Sequence, residues 1–166
     1  MDGVERPRIV ALDKRRVWHP YTAMDDYVGR VDPLVVVRAE GARLHDADGR
    51  SYLDANSSWW VASLGHGHPR LVAALERQAR AFPHVSLAGV THAPAAELAE
   101  AICARAPRAP DRPGLEHVFY SDDGSTAVEV ALKLSLQYWA QNGRPARTRF
   151  AALGDAFHGE TIGATA

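Results

Sequence analysis

The stretch Ser121-Asp122-Asp123-Gly124-Ser125-Thr126-Ala127-Val128-Glu129 places small, polar and acidic residues at the head of an apolar helical pattern. Two readings fit it. A helix N-terminus offers unpaired N–H groups and about half a positive charge, both suited to phosphate. Gly124 lets a ligand approach the backbone, and the Ser125 hydroxyl adds a hydrogen bond. The other reading is capping alone: Asp122 or Asp123 can cap, and Thr126-x-x-Glu129 resembles a capping box. An anion beside these acids requires their carboxylates to point away. Phe157-His158-Gly159 follows a second strand-like run, as the Gly124-Ser125 turn follows a first. Alone it is a glycine turn with a core Phe. A phosphate cradle and an aromatic ring at two neighbouring strand ends suit a flat phosphorylated cofactor.

Other side chains with chemical potential are more ambiguous. Adjacent Trp59 and Trp60 do not easily share one core, so each is a packing residue or a pocket wall. The same choice holds for Tyr21, beside Trp18 and Pro20. His66 and His68 lack neighbouring Cys or paired acids, so no metal site is expected. Cys103 sits in an Ala-rich amphipathic stretch and is expected to be a small buried apolar residue. Lys14 and Lys133 are the only lysines.

The elements that must position these residues follow from periodicity. Residues 1–16 are charged and read as a loose arm or a short helix. From Pro33 the pattern alternates, and Asp48-Gly49 is a hairpin signal, which predicts a three-stranded antiparallel meander over about 33–56. Pro69 starts a helix that Pro83 ends, with Leu71, Ala74, Leu75 and Phe82 at helical spacing. Another helix follows Pro94, and prolines 107 and 110 break it. Leu115–Tyr120 and Arg149–Leu153 read as buried strands flanking a long helix from Gly124 to Asn142. Strand, helix, strand implies a βαβ unit and a parallel sheet. The apolar face of that helix, with Ala127, Val130, Ala131, Leu134 and Tyr138, is broad enough to need cover on more than one side. Thr161 onward reads as a further helix start.

The chain has 166 residues, 46% hydrophobic and 23% charged, enough for one ordinary domain. A net charge of -1 points to neither a nucleic-acid nor an anionic-membrane partner. A single cysteine excludes an intrachain disulfide and fits a reducing compartment, so a cytoplasmic protein is expected. No apolar run reaches membrane-spanning length, and the N-terminus lacks the apolar core of a secretory signal. A two-stranded βαβ unit leaves sheet edges bare, so the chain is expected to be the N-terminal part of a longer protein.

The segments WHPYTAMDDY, DADGRSYLDANSSWWVASLGHGHP, THAPAAELAE, FYSDDGSTAVEVALKLSLQYW and DAFHGETIGA, in this order, resemble the adenosylmethionine-8-amino-7-oxononanoate aminotransferase family. The resemblance runs from Trp18 to Ala166. It implies a class III, fold type I pyridoxal 5'-phosphate transferase of biotin synthesis. The implied fold is α/β, with an arm and small-domain meander over 1–68 and the start of the mostly parallel large cofactor domain over 69–166. The implied reaction passes an amino group, in most of the family from S-adenosylmethionine, to 8-amino-7-oxononanoate, giving 7,8-diaminononanoate. Gly124 and Ser125 match the family's phosphate-binding pair, and Phe157 falls where a ring stacks on the pyridine face. Tyr21 and Trp59 match substrate-recognition residues, and Phe157 borders the same substrate region. The parent is expected to be a homodimer.

Two departures stand out. The family usually reads Tyr-His-Gly-Asp where this chain has Phe157-His158-Gly159-Glu160. Phe keeps the stacking face but loses a hydroxyl, which leaves another class III ω-aminotransferase as the alternative activity. Neither Lys14 nor Lys133 matches the family's Schiff-base lysine, so no catalytic residue is assigned and the chain alone is expected to be inactive. A non-catalytic binding remnant is the reading from a different class.

Overall fold

The computed structural model describes residues 5–108, 110–111 and 113–165. The chain divides into two compact units, Met1–Val85 and Ser86–Ala166.

The first unit begins with helices α1 (Arg6–Arg16) and α2 (Met24–Arg30). The arm is therefore helical over Arg6–Arg16, and α2 is an element the sequence pattern did not suggest. Pro lies in the first turn of α1, and Lys14, Arg15 and Arg16 occupy its last turn, where they complement the helix dipole. The buried Tyr27 of α2 donates its hydroxyl to Asp13 Oδ2 at 2.6 Å, and His19 Nε2 lies 3.0 Å from the same oxygen. Lys14 Nζ donates to the Val28 carbonyl at 3.0 Å. These bonds fasten the two helices and hold the Trp18–Thr22 segment between them.

The expected meander is present as β1 (Val36–Glu40), β2 (Arg43–Asp46) and β3 (Ser51–Leu53), antiparallel in that order. Its tight turn is organised by Asp46, whose side chain accepts from the N–H groups of Asp48 (3.0 Å) and Arg50 (2.7 Å) and from the Tyr52 hydroxyl (2.9 Å). Gly49 supplies the left-handed position, φ 81°. Burial alone would raise the Asp46 carboxyl, but the Arg50, Tyr52 and Asp48 donors outweigh it and hold the group below its ordinary value. Asp13 is likewise lowered, first by the Tyr27 hydroxyl and then by His19. A carboxyl depressed by folding stabilises above its unfolded pKa, about 4, and that contribution is lost as pH falls through the folded value. The thermal midpoint is therefore expected to hold near neutrality and drop below about pH 4, with Asp46→Asn weakening the dependence. Thermal circular dichroism across pH 2–7 measures this (roughly the range over which carboxylates titrate).

After β3 come a short turn, α3 (Ser57–Trp60), and α4 (Pro69–Ala81), which starts at Pro69 as its residue type predicts. The second unit holds α5 (Ala93–Arg105), α6 (Gly124–Gln141) and α7 (Ile162–Thr165). α6 ends in a Schellman arrangement: Arg144 N–H reaches the Trp139 carbonyl at 2.8 Å, with Gly143 at φ 73°.

Two expectations need correction. The segments 115–120 and 149–153 form no ladder among the described residues, where β1–β3 is the only sheet. Their apolar texture encodes suitability for burial, but a parallel strand exists only when neighbours supply its hydrogen bonds. Leu115, Phe119, Phe150 and Leu153 are accordingly exposed. Cys103 is half-buried rather than buried. The broad face of α6 is also open at Leu134 and Tyr138. No helix among the described residues is long and apolar enough to cross a membrane.

Candidate functional site

In the second unit, Asp123 is the N-cap of α6. Its Oδ1 accepts from Thr126 N–H at 2.8 Å, and Thr126 Oγ1 accepts from Asp123 N–H at 3.1 Å. The capping box is thus Asp123–Thr126, one turn before the expected Thr126–Glu129 pairing. A β-region Asp side chain reaches its own N3 amide more directly than Glu129 can. The cap consumes the Thr126 amide and leaves the N–H groups of Gly124 and Ser125 without a partner among the described residues. No atom lies within 4 Å of where a Gly124 Cβ would project. This is open space at the positive end of an 18-residue helix.

Ser125 is already engaged on one side. Its Oγ accepts from Glu160 N–H at 3.0 Å, which leaves the hydroxyl proton available to a ligand. Gly159 lies directly against it: a Cβ there would stand 2.7 Å from Ser125 Oγ and 2.8 Å from Ser125 Cα, at φ 141°. Only glycine fits. Phe157, two residues earlier, has a largely exposed ring. The segment is held further by Glu129, whose Oε1 accepts from Gly163 N–H (2.6 Å) and Ala164 N–H (3.3 Å) and so caps α7. Hydrogen bonding from Thr161, then from Gly163, keeps the Glu129 carboxyl below its ordinary value. Two free amides, a hydroxyl proton and an adjacent aromatic segment fit the phosphate and ring of a flat phosphorylated cofactor.

In the first unit, Tyr21 and Trp59 stack, with ring centroids 5.8 Å apart and planes 14° from parallel. Trp60 leans on Trp59 at 5.9 Å. All three rings are exposed, so neither tryptophan is a core residue here. They are displayed by a left-handed turn: Ser57, Ser58, Trp59 and Trp60 all have φ between 47° and 67°. Such a conformation costs L-residues roughly 1–2 kcal/mol each, and it persists only where surroundings enforce it. Asp54 enforces it. Its Oδ1 accepts from Ser58 N–H (2.9 Å), and its Oδ2 from Ser58 Oγ (2.8 Å) and His66 Nε2 (2.8 Å). The Ser58 amide, then His66, draws the Asp54 carboxyl below its ordinary value.

The structure therefore brings Tyr21 to Trp59, and it docks the Phe157 segment on Ser125. Sequence reasoning missed Glu129, Gly159 and Gly163 as a latch, and Asp54 and His66 as a clamp. Gly159-x-x-x-Gly163 was the available signal for the first. The second has no local signal, because Asp54 and His66 are twelve residues apart.

The aminotransferase class-III family description matches residues 27–166. The chain is 43% identical over 163 residues to the adenosylmethionine-8-amino-7-oxononanoate aminotransferase of Mycobacterium leprae, covering 96% of this chain and 36% of that protein. It is 48% identical over 148 residues to the protein of the same name from Synechococcus elongatus, covering 89% and 33% respectively. The crystal structure of the Methanocaldococcus jannaschii protein of that name superposes with a TM-score of 0.90 at 36% identity, covering 97% of this chain and 35% of that one. The chain spans about a third of the length of the curated relatives it matches.

Proposed function

Because this chain belongs to the class-III aminotransferase family and has the fold type I transaminase backbone, we propose that it forms part of an enzyme that transfers an amino group from S-adenosylmethionine to 8-amino-7-oxononanoate, giving 7,8-diaminononanoate in biotin synthesis. The observation that carries this reading is the first turn of α6, with two free amides and the Ser125 hydroxyl proton beside the Phe157 segment. Pyridoxal 5'-phosphate, when bound, supplies the electron sink for amino transfer. Gly124 and Ser125 N–H and the Ser125 hydroxyl donate to its phosphate. Phe157 offers a face to its ring. Tyr21 and Trp59 form an aromatic plate that recognises the substrates, and the complete protein works as a cytoplasmic homodimer.

The lysine that holds the cofactor lies outside this chain. Lys133 is nine residues beyond Gly124, about 13 Å along the helix axis. Lys14 is already bonded to the Val28 carbonyl. Borohydride reduction of the isolated chain with the cofactor is expected to trap nothing on either lysine, by mass spectrometry, whereas the complete polypeptide is trapped at one. Turnover assays of the complete polypeptide test the reaction itself. No product from 8-amino-7-oxononanoate would transfer the assignment to another class III ω-aminotransferase, the reading that Phe157 in place of tyrosine favours.

A further inference from the structure

The left-handed turn at Ser57–Trp60 needs a cause, because none of its four residues is glycine and each would relax to a right-handed conformation if released. Its flanks are pinned to the meander. His66 exchanges two backbone hydrogen bonds with Gly41, at 2.8 and 3.0 Å. Gly65 backs onto Gly41 so closely that a Cβ would stand 3.2 Å from Gly41 Cα. On the other side, Asp54 follows β3 directly and its N–H donates to the Ala42 carbonyl at 2.9 Å. The turn is therefore strapped between two fixed points, and one carboxylate joins them: Asp54 binds Ser58 inside the turn and His66 at the far anchor.

We propose that Asp54, Ser58 and His66 act together as positioning residues that hold this turn left-handed and thereby set the Tyr21–Trp59 plate for substrate recognition. The inversion matters because it reverses the direction in which Cβ leaves the backbone. A right-handed turn would carry the Trp59 ring away from Tyr21 and break the near-parallel stack. The clamp's side chains bond one another rather than the Tyr21 and Trp59 rings. It fixes one wall of a specificity pocket.

This inference rests on the aminotransferase reading, and the experiment separates the two. In the complete polypeptide, Asp54→Ala is expected to raise KM for 8-amino-7-oxononanoate about tenfold while leaving the cofactor dissociation constant within about twofold, the scale of losing a charge-assisted hydrogen bond. The exciton-coupled circular dichroism of the Tyr21–Trp59–Trp60 cluster should collapse in parallel. Adding Ser58→Gly should restore both signals, because glycine adopts positive φ without penalty. His66→Ala, which removes only one bond, should give an intermediate effect and serves if Asp54→Ala does not fold. A folded Asp54→Ala protein with unchanged KM and unchanged exciton signal would overturn the proposal. So would an equal rise in KM and cofactor dissociation constant that Ser58→Gly does not reverse. If the unmodified protein does not use this acceptor, the aminotransferase assignment fails, while the exciton signal still decides the clamp.

Discussion

Gly159→Ala in the complete polypeptide is expected to weaken pyridoxal 5'-phosphate binding by at least about 30-fold, with a clear fall in thermal midpoint. Two penalties combine. The backbone at φ 141° lies in a region open essentially to glycine, worth about 1–3 kcal/mol for another residue. The added methyl would meet Ser125 Cα and Cβ at 2.8 Å, atoms of a helix that cannot move aside cheaply. Overpacking of this kind costs about 1–3 kcal/mol more. The chain must then withdraw the 157–160 segment from α6, which removes the Phe157 ring and the Glu160–Ser125 bond together. Gly163→Ala is the informative comparison. Its methyl would meet the Glu129 carboxylate at 2.6 Å, the far end of a flexible side chain, and its φ is not positive. A loss roughly tenfold smaller is expected there, because a rotamer change relieves most of the clash. Absorbance titration of the cofactor measures both variants, and an affinity within twofold of the unmodified protein for Gly159→Ala would contradict the docking role.

Ser125→Ala is the second large effect. It removes the donor offered to phosphate and also the acceptor that Ser125 Oγ gives the exposed Glu160 amide at 3.0 Å. A hydrogen bond to a charged phosphate is worth about 1.5–3 kcal/mol, so cofactor affinity is expected to fall at least about tenfold. Asp123→Ala separates this from simple helix damage. Losing the N-cap should cost about 0.5–2 kcal/mol of stability. It should leave cofactor affinity unchanged or slightly improved, since a carboxylate near an anion site is removed. Equal losses of affinity in the two variants would mean that the first turn of α6 is only a capped helix end.

The local features were legible in the sequence because their causes are local. Asp48-Gly49 announces a hairpin, and the strands on either side fall where alternation places them. Pro69 and Pro83 bracket α4, and Gly143 marks the end of α6. The small residues at Gly124 and Ser125 announce a helix end that a ligand can approach. The helix at Met24–Arg30 was not legible: it is short, and its stability comes from Tyr27 reaching Asp13 rather than from its own periodicity. The strands expected at 115–120 and 149–153 show the converse. Composition states what a segment can bury, and pairing depends on what lies beside it.

By itself, then, the sequence determined the long helices α4, α5 and α6, the meander and the glycine–serine helix end, which depend on residues within a few positions of one another, and the family resemblance, which rests on the order of several such segments. Tertiary structure alone decided which of those features work together. Gly159 is obligatory because Ser125, 34 positions earlier, occupies the space a side chain would need. Glu129 caps a helix 34 residues away from it instead of its own. Trp59 faces Tyr21 because Asp54 and His66, on opposite sides of the turn, hold four L-residues in a left-handed conformation. Van der Waals exclusion and hydrogen bonding act through space, and no spacing along the chain encodes them.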